Sequence, residues 1–578
     1  MDKEVTVGIA TAPGQWIGYW GYDFPEIPAR RLESVTHRIA NGVSWSVVSR
    51  IPTTGILVTL SASGIASDRA SPDAWVLVGE DSLTLGRQAF GRVPLYWTRQ
   101  KQTIWFASRL RLLLPLLGSP SVDLAALYGY SCFSYVPTPL TPIEEIQALE
   151  AGREESWRIE FPEELLISSS RGLTDWRENP HPIESEEVAI AELQTLLQQS
   201  IERQLADLSD EPVGVFLSGG LDSSIVAALL VRSGITTRAY TLDFGEIENP
   251  ESPYAEKVAE YLKIPLTKVK ATPQQIGPAL IPAIRALDLP FGDGVTVPLF
   301  LLGQAARQDT RVIFNGEGGD QLFAGWTNKP MIAAGIYQSE SPDGDRSFEE
   351  DYLRTFHRLY GYEERVFQPE VFEEIRSIDP RHWLKTALDS APTPSLLHRL
   401  RRASLMLKGA QNIQPRATNL AFAHGLQVRS PFCDPDLAEW TFSLSGELFL
   451  QGSREKYILK RAVESWLPPE IVWREKRGMG VPLTPWCLQE WWRSLGIWLN
   501  PGRLKAEGRW QSDLAVRIVS GELGGMIQGR RVGEILWLLI VWELWRSNVL
   551  GEPEGNLSWN HPFWLVPHSL WKYGKQWR

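Results

Sequence analysis

VGVFLSGGLDSSIVAALLVRSGITTRAYTLDF, Val213 to Phe244, is the stretch on which the fold turns. A short run of β-branched and apolar residues leads into a glycine loop, a helix-forming apolar segment and a second strand-like run. Strand, loop, helix, strand in that order predicts a parallel, doubly wound sheet with helices on its faces. RVIFN, Arg311 to Asn315, predicts a further buried strand. Upstream, WSVVSRI, GILVTLSA, AWVLVG and LYWTR cluster or alternate apolar residues between Gly, Pro, Ser and Asp, so residues 1–180 predict a β-rich first domain. Pro180, Pro182 and the polar run Glu184 to Glu187 mark a linker. VAIAELQTLLQQSIERQLADL then carries apolar residues at helical spacing. Residues 181–551 predict a second, α/β domain that turns mainly helical from about Ser347, and residues 552–578 an aromatic, basic tail.

The loop Leu217-Ser218-Gly219-Gly220-Leu221-Asp222-Ser223-Ser224 sits between a strand and a helix. Glycines let backbone amides approach an anion, and the helix start adds its positive dipole end. The serines donate further hydrogen bonds. A carboxylate among phosphate-binding amides needs a cation, and Mg²⁺ bridging Asp222 to phosphate is the economical solution. The loop lacks the GxxxxGK[ST] spacing of a Walker A motif. A second acidic loop, Asn315-Gly316-Glu317-Gly318-Gly319-Asp320-Gln321, follows RVIFN. Loops at the carboxyl ends of neighbouring strands in an open α/β sheet face one crevice, so Asp320 is expected to share a metal with Asp222 and Glu317 to act there as an acid–base group. The plainer alternatives are an ordinary Gly-Ser turn and a tight turn with solvated acids.

Composition sets outer limits. The chain has 578 residues, 43% hydrophobic and 22% charged, which is globular. A net charge of −11 disfavours partners that rest on clustered Lys and Arg, so neither nucleic acid nor anionic membrane is expected. Three scattered cysteines, Cys132, Cys433 and Cys487, exclude a disulfide scaffold or a Cys-only zinc site and suit a reducing compartment. MDKEVTVGIATAPGQW has no signal-peptide pattern, and the apolar run Ile535 to Trp542 falls far short of the ~20 residues of a spanning helix; a cytoplasmic protein with a buried helix there is the expectation.

The pair SGGLDSS and GEGGDQLFAG resembles the asparagine synthetase family, whose synthetase domain binds ATP on a PP-loop. YTLDFGEIENPESPYAEKVAEYL, HGLQVRSPFCDPDLAEWTFSL, GSREKYILKRAVESWLPPEIVWREKRGMGVPL and VGEILWLLIVWELW resemble later blocks of it, so the resemblance runs from about Leu85 to Trp545. It implies ATP and Mg²⁺ as cofactors, with Phe216, Leu217, Ser218, Gly219, Gly220, Asp222, Ser223, Leu242, Gly316, Asp320 and Lys456 as the nucleotide-binding set. Within that set Phe216 and Leu242 flank the adenine, Asp222 and Asp320 hold the metal, and Lys456 contacts phosphate. It also implies Lys476 as the cation of the acyl-transfer step and Glu317 as the proton-handling group.

The chain departs from the family in two places. Glutamine-dependent members carry a nucleophilic cysteine directly after the initiator methionine, where this sequence has Asp2. The arginine-glycine-proline-aspartate and asparagine-glycine-glutamate blocks are missing too, and Gln88 stands where an aspartate is usual, yet LGRQAFGRVPLYW and IWFASRLRLLL still resemble the glutaminase domain. A glutaminase-like, Ntn-type shell without its catalytic machinery is expected. Ile413-Gln414-Pro415-Arg416 replaces a lysine-valine-aspartate-arginine block near the family's acceptor site. Members with a dead first domain resemble β-lactam synthetases and lasso-peptide macrolactam synthetases, in which the attacking amine belongs to the substrate. A β-lactam synthetase usually has tyrosine at Glu317. The resemblance thus implies a ligase that closes an amide within a lasso-peptide precursor, a substrate carrying both carboxylate and amine, with a leader-peptide-binding or protease partner. Ammonia-dependent asparagine synthesis, a β-lactam synthetase-like enzyme and a non-catalytic ATP-binding scaffold are the alternatives. Trp440, Trp466, Trp473, Trp486, Trp491 and Trp492 are candidates for lining a peptide cavity, with core packing the plainer reading for each.

Overall fold

A computed structural model describes residues 5–9, 16–21, 46–51, 55–59, 73–78, 82–160, 165–208, 211–245, 250–325, 347–452, 454–475, 478, 480–524 and 531–565. The N-terminal strands are β1 (Val5–Ile9), β2 (Trp16–Gly21), β3 (Ser46–Ile51), β4 (Gly55–Thr59), β5 (Ala74–Val78), β6 (Ser82–Arg87), β7 (Tyr96–Gln100), β8 (Thr103–Ala107), β9 (Gln147–Ala148), β10 (Arg153–Glu160) and β11 (Leu165–Gly172). They form two antiparallel sheets, ordered β1-β5-β6-β10-β11 and β3-β4-β2-β8-β7-β9. Val76, Leu83, Leu85 and Trp157 of the first sheet share one buried cluster with Ile104 and Phe106 of the second, which makes the pair a sandwich. Side chains alternate along a strand, so β8 faces two cores. Ile104 and Phe106 enter the sandwich, while Trp105 and Ala107 enter the large core of the rest of the molecule.

The second sheet system is parallel throughout: β12 (Val213–Phe216), β13 (Thr237–Asp243), β14 (Leu266–Lys270), β15 (Val312–Phe314) and β16 (Gln427–Arg429), in spatial order β14-β13-β12-β15-β16. The order reverses beside β12, so the carboxyl ends of β12 and β15 flank the crevice where such sheets bind ligands. Strands β14 and β16 had no signal of their own. β14 lies at an edge and is mostly exposed, with Lys268 and Lys270 in place of an apolar run, and β16 spans three residues.

Helix α1 (Leu124–Phe133) lies in the chain between β8 and β9. Helix α2 (Glu186–Leu205) begins inside the expected linker, its first turn carrying Glu186 and Glu187 behind the Ser185 cap. Helices α3 (Leu221–Arg232), α4 (Ser252–Leu262), α5 (Pro273–Leu287) and α6 (Thr296–Ala306) connect the parallel strands. Further on, the helix Leu396–Ser404 widens into a π-helical stretch, Leu405–Ile413, before it resumes as Gln414–Phe422. Pro415 has no N–H to give and its ring would strike the carbonyl of Gln411 in a regular α-turn, which accounts for the widening. The helix Arg531–Trp545 is buried along nearly its whole length, and no helix among the described residues is long and apolar enough to cross a membrane. Trp510, Trp537, Trp542 and Trp545 are among the largest fully buried side chains, so part of the tryptophan content is core.

Candidate active site

Two loops meet at the crevice. In the first, Ser218 and Ser223 hydroxyls lie 3.1 Å apart, the Gly220 amide donates to Ser218 Oγ (3.2 Å) and Ser224 Oγ donates to the Gly220 carbonyl (2.7 Å). These bonds close a tight turn at the start of α3, whose Gly220 N-cap has no side chain of its own. The second loop leaves β15 with Asn315, which accepts from Ser430 Oγ (2.9 Å) and from the Glu317 amide (3.1 Å). The loops touch closely. A Cβ on Gly316 would stand 2.6 Å from the Ser223 nitrogen, and one on Gly319 2.5 Å from Asp222 Cγ. Only glycine allows this approach, which carries Asp320 to Asp222.

Lys456 joins them. Its Nζ donates to Asp222 Oδ1 at 2.6 Å and lies 2.5 Å from Asp320 Oδ1, and the residue is 3% exposed. Burial by itself would lower its pKa. The two carboxylates outweigh that, so the ammonium is held above the usual lysine range. Lys456 caps the helix Tyr457–Ala462 in a left-handed conformation, φ 55°. The arrangement also meets the demands of Mg²⁺: two carboxylates converge on a point already favourable to positive charge, and the remaining ligands would be phosphate and water. Among the described residues no group of three or more His, Cys, Asp or Glu forms a fuller metal cage.

Phe216, Leu217, Ser218, Gly220, Asp222, Ser223, Leu242, Gly316, Glu317, Asp320 and Lys456 all line one cavity of about 470 Å³. Gly219 does not. It turns away at φ +76° against the start of α4, where a Cβ would lie 2.5 Å from the Ala255 nitrogen, so its part is to bend the loop. Lys476 lies outside the described residues. None of the six candidate tryptophans is a wall of the cavity: Trp466, Trp486, Trp491 and Trp492 are buried in the cores, while Trp440 and Trp473 donate to Glu192 (2.8 Å) and Glu464 (3.1 Å) at the surface.

The same cavity has a second charged lobe that was not anticipated as a unit. Asp293 is its hub. Its Oδ2 accepts from Arg416 Nη1 and Asn412 Nδ2, both at 2.7 Å, and its Oδ1 from Ser134 Oγ (3.1 Å) and Arg358 Nη2 (3.3 Å). Arg358 also pairs with Glu534 at 3.1 Å. Lys408, from the π-helical stretch, lines the cavity beside them. Burial disfavours the charged form of Asp293, but Arg416, Lys408 and Arg358 hold its carboxyl well below the usual carboxylate range. Three cations thus face two carboxylates. Arg416 is buried, and its Nε has no hydrogen-bond partner among the described residues. The one sequence signal was the block Ile413 to Arg416, both ends of which line the cavity.

The protein-family model for asparagine synthase matches residues 192–547, more than half of the chain, and that for a glutamine amidotransferase domain matches residues 75–161. The chain belongs to the asparagine synthase family. Members are ATP-dependent enzymes that form amide bonds. The chain is 25% identical over 435 residues to the glutamine-hydrolysing asparagine synthetase 1 of Bacillus subtilis, covering 71% of this chain and 67% of that protein. It is 26% identical over 416 residues to asparagine synthetase 3 of the same organism, covering 68% and 64%. An NH3-dependent NAD synthetase from Campylobacter jejuni aligns with 34% of this chain and 93% of its own, at 12% identity and a TM-score of 0.18, too low to carry weight. An antiparallel sandwich followed by a parallel synthetase sheet is the architecture that the β-rich runs, the glutaminase-like blocks and the two motif loops together implied.

Proposed function

We propose that this chain is an AMP- and pyrophosphate-forming amide ligase whose attacking amine does not come from glutamine hydrolysed by its own first domain. The observation that carries the reading is the nest of Asp222, Asp320 and Lys456 at the reversal of the parallel sheet, with Glu317 in the same cavity. A substrate carboxylate attacks the α-phosphorus of ATP, the bond to the β,γ-pyrophosphate breaks, and an acyl-adenylate forms. Ser218, Ser223 and the loop amides hold the pyrophosphate, and Mg²⁺ on Asp222 and Asp320 would supply the charge neutralisation it needs. An amine then attacks the acyl carbon, AMP leaves, and the amine's proton passes to Glu317. Lys476 is assigned the oxyanion of that step through the family resemblance.

The chain's three cysteines are all buried, and burial pushes their thiols up, Cys487 to about 12. None is poised as a nucleophile. That favours an amine supplied by the substrate, as in macrolactam closure of a lasso-peptide precursor, with a leader-binding or protease partner delivering it. Purified chain with ATP, Mg²⁺ and a linear core peptide should yield product lighter by one water, with AMP and pyrophosphate; release of ADP overturns the mechanism. The charged lobe around Asp293, and a cavity wall without tryptophan among the described residues, favour a second reading in which the acceptor is small. Asparagine formed from aspartate and ammonium, but not from glutamine, would select it.

A further inference from the structure

The segment matched by the amidotransferase model holds no poised thiol, yet it is hydrogen-bonded to three of the segments that build the second lobe of the cavity. Three separate chain segments bring Asp293, Arg358 and Asn412 together, and each is hydrogen-bonded to the short stretch Ser131–Thr138, the last turn of α1 and the residues that follow it. The Gly292 amide donates to the Ser134 carbonyl (2.8 Å), and Ser134 Oγ donates to Asp293 itself (3.1 Å). The Leu359 amide, next to Arg358, donates to the Ser131 carbonyl (3.0 Å). The Thr138 amide donates to Gln411 Oε1 (3.0 Å), next to Asn412. Five residues before Asp293, the fully buried Asp288 is held by Arg109 Nε (2.8 Å) and Arg111 Nε (2.5 Å) of the same amidotransferase-like region.

We infer that the amidotransferase-like region acts as the positioning element of the acceptor lobe, with Ser134 as the positioning residue for Asp293. Asp293 in turn fixes Arg358 and Arg416, the cations offered to an anionic group of the acceptor. The nucleotide loop packs instead on the Asn315–Asp320 loop, Lys456 and the start of α4. The hydrogen bonds to the Asp293 side make acceptor binding the property that this stretch governs, and the nucleotide loop serves as the internal control. This rests on the ligase reading only where turnover is measured.

Ser134 has φ 65°, so Ser134→Gly removes the hydroxyl while easing the left-handed backbone, and the variant is expected to fold. Hydrogen–deuterium exchange of the full chain is compared in peptides covering residues 289–295 and 216–224. Loss of a hydrogen bond to a charged group should raise exchange in 289–295 roughly tenfold and leave 216–224 unchanged. The same variant should add nothing further in an Asp293→Ala background, where the acceptor of the Ser134 hydroxyl is gone. With whichever substrate gives amide in the wild type, KM for the carboxylate partner should rise roughly tenfold and KM for ATP stay put. Unchanged exchange in 289–295, or an equal rise in 216–224, overturns the inference. If wild-type chain makes no amide with any substrate, the ligase reading falls and the exchange result still decides the positioning role.

Discussion

The two ends of the cavity are built in opposite ways. The end proposed for the nucleotide comes from two contiguous loops and one lysine, and at its centre two carboxylates close on one cation. The end proposed for the acceptor draws Asp293, Arg358, Lys408, Arg416 and Glu534 from four segments, and it sets three cations around two carboxylates. One end suits a polyphosphate with its metal. The other suits an anionic group on the acceptor. The contrast teaches that a ligase can keep its activating half in sequence motifs while its selecting half is defined only by packing.

The comparison breaks most visibly if the ends do not separate under mutation. Glu317→Gln should lower amide formation about 10²–10⁴-fold while first-turnover pyrophosphate release persists, read by quenched-flow with both products followed. Lys456→Met removes the shared cation of Asp222 and Asp320. AMP formation should fall about 10²–10³-fold, and stability by about 3–5 kcal/mol because two partly buried carboxylates are left facing each other; urea unfolding measures the second effect. Arg416→Met should act at the other end only, raising KM for the carboxylate partner about 10–100-fold with KM for ATP unchanged. A rise in both constants would erase the division.

Acidity tests the same contrast from behind. Arg401 Nε donates to the carbonyl of Leu322 (2.8 Å), at the end of the short helix that carries Asp320, and Arg401 Nη1 donates to His398 Nδ1 (2.6 Å). Burial, and then Arg401, push the His398 imidazole down to about 3. Below pH 6.5 the unfolded chain therefore binds a proton that folded His398 refuses, and stability falls by roughly 2 kcal/mol between pH 6.5 and 5. Denaturant titrations at the two pH values should show this loss, and His398→Asn should remove it. Asp293 behaves in the other sense. Its depressed carboxyl contributes stability that is present above the unfolded value and is lost only as pH falls below that value, so the acceptor end adds no slope between pH 5 and 7. The smallest effect belongs to a residue at neither end: Trp440→Phe removes a surface hydrogen bond to Glu192 and should change stability by no more than about 0.5 kcal/mol and no Michaelis constant.

Much of the nucleotide end was legible because the chemistry sits on consecutive residues between a strand and a helix. Ser218 to Ser223 and Asn315 to Asp320 announce themselves by composition and by what flanks them. The direction of Gly219 was not legible, since a glycine in a loop can face the ligand or turn the chain. The tryptophans stayed open for a related reason: an aromatic count says nothing about which face a helix buries, and Trp486, Trp491 and Trp492 face the core, the plainer of the two readings.

By itself the sequence determined the α/β class, the two acidic loops and the family, because these depend on local periodicity and on contiguous residue types. Only the tertiary structure decided the strand order β14-β13-β12-β15-β16, the placing of Lys456 between two aspartates, and the gathering of Ser134, Arg358 and Arg416 around Asp293. These depend on pairings between segments far apart in the chain, and a buried charge reveals its partner only when the fold has brought the two together.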